Sequence, residues 1–256
     1  MKHAALTKTL KYIAFVLAFC AVAAGLFLLI SSCDSIRTAK AGKDADAGAD
    51  SRILTVVIDA GHGGEDGGTS DENGTPEKDL NLDIAFHVKE ILEATGARVI
   101  MTRTEDILLY DRSTDYNGRK KALDLAARLA VGEKITPDLF VSIHMNAFPD
   151  RKYHGLQVWY SPNDGRSEEY AERIQKTVAA HLQNDNTRHI KKAGSNIFLL
   201  DRLHCPAVLV ECGFLSNPDE AARLSDPVYR RELAFFIASA ILDGAEKTGQ
   251  DGTQSP

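Results

Sequence analysis

The chain has 256 residues, of which 44% are apolar and 26% charged, a balance that excludes an intrinsically disordered or fibrous polymer. Its charge is divided, because residues 1–50 hold six basic and four acidic side chains while residues 51–256 hold 24 and 32. A body with a net charge of −8 has no general attraction for phosphate, so nucleic acid is excluded as a partner.

Residues 12–30 form a run of 19 without a charge, preceded by Lys2, Lys8 and Lys11 and followed by Asp34. Such a run is long enough to cross a bilayer, and lysines on its amino side keep that end in the cytoplasm and send the remainder outward. It reads as an uncleaved anchor; alternatively Ile30, Ser31, Ser32 and Cys33 resemble a bacterial lipobox with Cys33 as the lipidated residue. The bland alternative is a buried core helix. Residues 34–52, rich in Ala, Gly, Asp and Lys, read as a flexible linker. The expected division is an anchor or signal at 1–33, a linker at 34–52, one folded body at 53–246 and a polar tail at 247–256.

Within the body, residues 54–59 (LTVVID) are a short β-branched run ending in a glycine-rich loop, as a buried strand should. Pro76 suits a first helical residue, and Leu80, Leu82, Ile84, Val88, Ile91 and Leu92 recur at near-helical spacing until Gly96. The order continues with a strand at 97–102, a helix at 119–131 and strands at 139–144 and 156–160. A helix at 167–182, a strand at 207–211 and a closing helix at 227–242 follow. This alternation predicts an α/β single domain with a largely parallel twisted sheet flanked by helices, the 156–160 strand being the candidate to run against the others. Cys205 and Cys212 are too far apart on an extended segment to form a disulfide.

Placed on that scheme, His62 follows the first strand, His144 ends the third and Glu211 ends the last core strand. Ligands of open α/β sheets sit beyond the carboxyl ends of the strands, so these residues are expected to converge on one edge. Glu77, opening the first helix, reaches the same edge. Two histidines and one carboxylate match a catalytic zinc site, and a second carboxylate would serve as general base and then general acid. The bland readings are structural histidines and a glutamate that favours a helix start. Glu211 resists dismissal, because Val208, Leu209 and Val210 put it in a buried run where an unpaired carboxylate is costly. Gly61, Gly63, Gly64, Gly67 and Gly68 surround His62 and permit close backbone approach; a phosphate-cradling loop fails for lack of a Walker lysine or the GxGxxG spacing. A thiol nucleophile at Cys205 beside His204 is disfavoured by their adjacency and by Pro206. Arg103 is a candidate for binding a substrate carboxylate, against the bland and commoner reading of such an arginine as a structural salt bridge.

These residues resemble the zinc-dependent N-acetylmuramoyl-L-alanine amidases of bacterial cell walls. The resemblance spans residues 54–242 and rests on IDAGHGGEDGG at 58–68, PEKDL at 76–80, MTR at 101–103, SIHMNA at 142–147 and LVECGFLSNP at 209–218. It implies His62, Glu77 and His144 as Zn2+ ligands and Glu211 as the catalytic carboxylate; beside these, Arg103 and Asn146 are candidate substrate-binding residues. It implies hydrolysis of the amide between the lactyl group of N-acetylmuramic acid and L-alanine by a zinc-activated water. The short anchored layout is similar to amidases that prepare spore-cortex muramic acid for lactam formation, supported by residues 96–103, 155–158 and 213–218. Residues 131–137 (VGEKITP) depart from the family, where an Ala-Asn pair often ends the helix. The implied partners are peptidoglycan, the membrane through the anchor and an activating protein, and the implied location is the extracytoplasmic face of the cell membrane. A zinc-stabilised wall-binding module without catalysis is the rival; Glu211 separates the two.

Overall fold

The computed structural model describes residues 53–251 apart from 112, 114 and 115. The expected anchor and linker lie outside the described residues. Among the described residues, no helix is long and apolar enough to cross a membrane.

Six strands form one sheet: β1 (Thr55–Ala60), β2 (Arg98–Met101), β3 (Leu139–Asn146), β4 (Gln157–Tyr160), β5 (Lys191–Lys192) and β6 (Ala207–Phe214), in the spatial order β2-β1-β3-β6-β4-β5. β2, β1, β3 and β6 are parallel, and β4 runs antiparallel to β6, as expected for the 156–160 segment. The helices are α1 (Glu77–Ala94), α2 (Lys120–Ile135), α3 (Arg166–His181), α4 (Phe198–Arg202), α5 (Pro218–Ser225) and α6 (Pro227–Asp251).

Strand side chains alternate between faces, and the sheet separates two apolar layers accordingly. Val56, Ile58, Val141, Ile143, Val208 and Val210 meet α1, α3 and α6 on one face. Val57, Phe140, Ala207 and Leu209 meet α2 and the short α4 on the other. By the same alternation Asp59, Ser142, His144, Glu211 and Gln157 belong to this second face. The polar positions of otherwise apolar strands are thereby gathered on the side that, among the described residues, is covered by α2 and α4.

Three differences from the sequence reading have physical causes. Pro76 is the N-cap of α1, with extended backbone (φ −78°, ψ 144°), so Glu77 takes the first helical position. α2 runs past Val131 and Gly132 to Ile135, ending where Thr136 adopts left-handed backbone, because the Gly132 backbone lies against Phe140 and Leu203. α6 extends to Asp251, into the segment expected as a polar tail. The short α4 and α5 were not anticipated, although Asn217 caps α5 by accepting the Asp219 and Glu220 amides and Pro218 follows it, a start signal readable from sequence.

Candidate metal centre

Three side chains from separate segments meet at the carboxyl end of the parallel strands. His62 lies in the loop after β1 and has a positive φ of 62°. Glu77 opens α1 and is buried, and His144 sits near the end of β3 beside a register shift between His144 and Asn146. One ligand atom from each lies within 4.8 Å of the other two. The imidazoles meet edge to face with centroids 5.0 Å apart.

Glu77 is the hub. Its Oε1 accepts the Met145 amide at 3.0 Å and Asn81 Nδ2 at 3.2 Å, and lies 2.9 Å from His144 Nδ1 and 3.3 Å from His62 Nε2. Its Oε2 accepts the Thr69 amide at 3.0 Å. Burial works to raise the Glu77 pKa, but the hydrogen bonds and charges of the two imidazoles overcome it and hold the carboxyl well below its usual range. The converse holds at His62, where burial opposes the charged ring but Glu77 and Asp66 raise its pKa. His62 Nδ1 is 2.9 Å from Asp66 Oδ1, a close ionic contact that falls short of hydrogen-bond geometry. An ionised carboxylate and two imidazole nitrogens aimed at one point are a donor set that suits zinc. The residues fit the ion that the sequence implies.

Glycine makes the convergence possible. A Cβ on Gly61 would collide with the His144 ring, and one on Gly68 with Glu77 and His62. The density of glycine around His62 therefore reflects close approach between loop and side chains.

Glu211 stands opposite His144 in the β3–β6 register and shares with His62 and His144 a cleft of about 250 Å³. Its Oε2 is buried without a hydrogen-bond partner. Burial, reinforced by the Glu77 charge and only partly offset by His144, His62 and Arg188, raises its pKa to about 7. A carboxyl group poised near neutrality beside a candidate metal is suited to move protons in either direction.

Two buried arginines brace this arrangement. Arg128 of α2 donates to Asp59 Oδ1 at 2.6 Å, Asp124 Oδ2 at 2.7 Å, Ala60 O at 2.8 Å and His62 O at 2.6 Å. Asp59 also accepts Thr102 Oγ1 and Ser142 Oγ, and its pKa is lowered because Arg128 and those hydroxyls outweigh its burial. Arg103, read from sequence as either a substrate-carboxylate ligand or a structural arginine, has its donors on the backbone. It is buried and donates to the carbonyls of Ala60, Gly61, Lys78 and Glu105, tying the His62 loop to α1. Asn146 lies on the wall of a neighbouring cleft.

The sequence reading missed Arg128, Asp59, Asp124 and Asn81. Asp124 and Arg128 are four apart on α2, a signal ordinarily assigned to a solvated helix pair; here both are buried. Asp59, in an otherwise apolar strand, was the readable anomaly. Cys205 has a thiol pushed up to about 11 by burial, so it remains protonated at neutral pH and is a poor nucleophile.

The fold and cleft define an α/β protein with a candidate His, Glu, His metal centre flanked by an unpaired acid, the layout of a metal-dependent hydrolase. Residues 56–243 match the N-acetylmuramoyl-L-alanine amidase family (Amidase_3), and the chain belongs to it. It is 38% identical over 187 residues to the germination-specific N-acetylmuramoyl-L-alanine amidase of Bacillus subtilis strain 168, across 73% of this chain and 78% of that one. It is 34% identical over 192 residues to the LytC amidase of the same strain, across 74% of this chain and 34% of LytC. Among solved structures, the CwlD amidase of Clostridioides difficile in complex with the GerS lipoprotein is similar with a TM-score of 0.72 and 35% identity, across 75% of this chain and 98% of that one.

Proposed function

We propose that the protein hydrolyses the amide between the lactyl group of N-acetylmuramic acid and L-alanine in peptidoglycan, with His62, Glu77 and His144 holding zinc and Glu211 transferring the proton. The observation that carries this reading is Glu211, whose Oε2 is buried without a partner in the same cleft as His62 and His144, two of the three candidate ligands. A wall-binding module has no use for such a group. Zinc, when bound, would supply Lewis acidity toward water and the substrate carbonyl.

The chain's own residues account for the remaining work. Glu77 is held ionised by its imidazole and amide donors, so it presents a negative ligand across the neutral range. Arg128 and Arg103 fix the carbonyls of Ala60, Gly61 and His62, which sets the position of the His62 ring. Glu211 in its ionised form accepts a proton from the attacking water, and in its protonated form returns it to the departing alanine nitrogen. In the metal-free protein burial raises its pKa to about 7, and a carboxyl whose environment favours the protonated form so strongly is suited to both transfers.

Family membership supports the amide and the muramoyl substrate. Similarity to a germination-specific relative supports a role in spore cortex, where cleavage would expose muramic acid for lactam formation. The uncharged run at 12–30 supports a membrane tether or a lipid at Cys33, with the body on the extracytoplasmic face where the wall polymer lies. The relative solved in complex with a lipoprotein supports an activating partner.

The test is release of stem peptides from intact muropeptides by the full chain. Hydrolysis should depend on zinc, stop on chelation and return on adding the metal. Full hydrolysis after chelation would overturn the mechanism, and zinc binding without hydrolysis would favour a binding module.

A further inference from the structure

His144 of β3, Glu211 of β6 and Gln157 of β4 are register partners across three adjacent strands and share one face of the sheet. Beyond Gln157 lies a second cleft of about 330 Å³, lined by Gln157, Trp159, Arg188, Lys191 and Phe214 among others and by no acidic residue. This contrasts with the metal cleft, whose walls include Asp59, Asp66, Asp124 and Glu211. In a body carrying −8, a cleft with two cations and no acid is a local inversion of charge.

Arg188 is held in place by neutral contacts, with Glu220 and Glu211 acting on its charge only from beyond ion-pair distance and outweighed by its burial. Nη2 donates to Gln157 Oε1 at 2.6 Å, the Gln157 amide donates to His189 O at 2.7 Å, and the guanidinium lies 4.7 Å from the Phe214 ring centroid. Its Nε is buried without a partner. Among the described residues no carboxylate forms an ion pair with Arg188 or with Lys191, whose ammonium lies 5.1 Å from the Trp159 ring centroid. A half-buried guanidinium with a rigid orientation and no acid in direct contact is costly to the free protein and suited to a carboxylate ligand.

We propose that Arg188, assisted by Lys191, binds a free carboxylate on the stem peptide and so selects the peptide side of the substrate. This rests on the amidase reading above. Distance supports it: neighbouring strands are about 4.8 Å apart, so Gln157 lies one strand beyond Glu211 and Arg188 just past it. In an extended peptide the α-carboxylate of a γ-linked glutamate at the second position lies roughly 6 to 7 Å from the scissile nitrogen. A substrate whose amide is attacked beside Glu211 can therefore reach the basic cleft with this carboxylate.

The test measures binding of three probes to the zinc-loaded full chain: the peptide Ala-γ-Glu-Lys with its glutamate α-carboxylate free, the same peptide with that group as a carboxamide, and N-acetylmuramic acid, whose only carboxylate is lactyl. The free acid should bind about tenfold more tightly than the carboxamide, in keeping with one charged bidentate contact. Arg188→Gln should abolish that difference, Arg188→Lys should restore part of it and the exposed Lys191→Gln should reduce it. The KM for acid muropeptides should rise in Arg188→Gln while the KM for amidated ones stays unchanged. Equal binding of acid and carboxamide by the wild-type chain, or a preference that persists in a folded Arg188→Gln, would overturn the proposal, as would tight binding of N-acetylmuramic acid alone. Since binding is read without turnover, failure of the hydrolysis assay and failure of this site are separate results.

Discussion

Glu211 and His144 face each other across the β3–β6 ladder, and while His144 Nδ1 meets Glu77 at 2.9 Å, Glu211 Oε2 is buried without a partner. One strand pair thus carries a committed side chain and an uncommitted one. Replacing Glu211 by Gln should leave zinc content unchanged and lower the rate of muropeptide hydrolysis by about 10² to 10⁴, the usual contribution of a positioned general base. A variant retaining more than a tenth of wild-type activity would remove Glu211 from the chemistry.

The same residue makes the metal-free protein sensitive to alkali. Its pKa of about 7 lies above the ordinary 4.5, so between those values the folded state holds a proton that the unfolded state has released, and stability declines as pH rises through this interval. His62, whose pKa is also raised, adds stability that is full below 6.5 and is lost as pH passes its folded value. Chelated protein should therefore melt lower at pH 8 than at pH 6, the Glu211 share of that difference being about 1.4 kcal/mol, since only the last pKa unit of its shift lies above pH 6. In Glu211→Gln that decline should be reduced. Thermal melts of both chelated proteins across this range decide it.

Zinc affinity should move in the opposite direction. The metal requires His62 without its proton, and the raised pKa means that protons compete from above pH 6.5 downward. Glu77 stays ionised throughout and contributes no limb to the profile. Binding isotherms between pH 5.5 and 8 should weaken steadily toward acid; a flat profile would exclude His62 as a ligand.

Gly61→Ala tests whether glycine density serves the site. The added methyl would collide with the His144 ring, a buried clash of the kind that costs about 1–3 kcal/mol. Zinc affinity should fall while far-ultraviolet circular dichroism stays native. Unaltered affinity would show that the loop and ring can separate freely.

Arg128→Ala should be more damaging to the fold than any ligand substitution. It leaves Asp59 and Asp124 as buried carboxylates without their cation and frees the His62 carbonyl. Loss of one partner from a buried ion pair costs about 3–5 kcal/mol, and chemical denaturation should show it.

The α/β alternation was legible because α1, α3 and α6 each present apolar residues at helical spacing and β1, β3 and β6 are β-branched runs. His62, Glu77, His144 and Glu211 were legible because strand ends and a helix start place chemistry at one edge. Arg128 was hidden by its own pattern, since an Asp and Arg four apart on a helix look solvated until the partner strand supplies Asp59. Arg103 was ambiguous for a related reason: a guanidinium near a strand end suits an external carboxylate or an internal brace, and only the fold brings four backbone carbonyls to it. The basic cleft at Arg188 depends on β5 and the segment before it, where two strand residues leave no periodicity to read.

The most direct measurement is the zinc bound per chain in Glu77→Ala and Glu211→Gln after equal dialysis. The account predicts little or no zinc in Glu77→Ala and close to one ion in Glu211→Gln. Equal zinc in the two, or loss confined to Glu211→Gln, would contradict the division between ligand and proton carrier on which the reading stands.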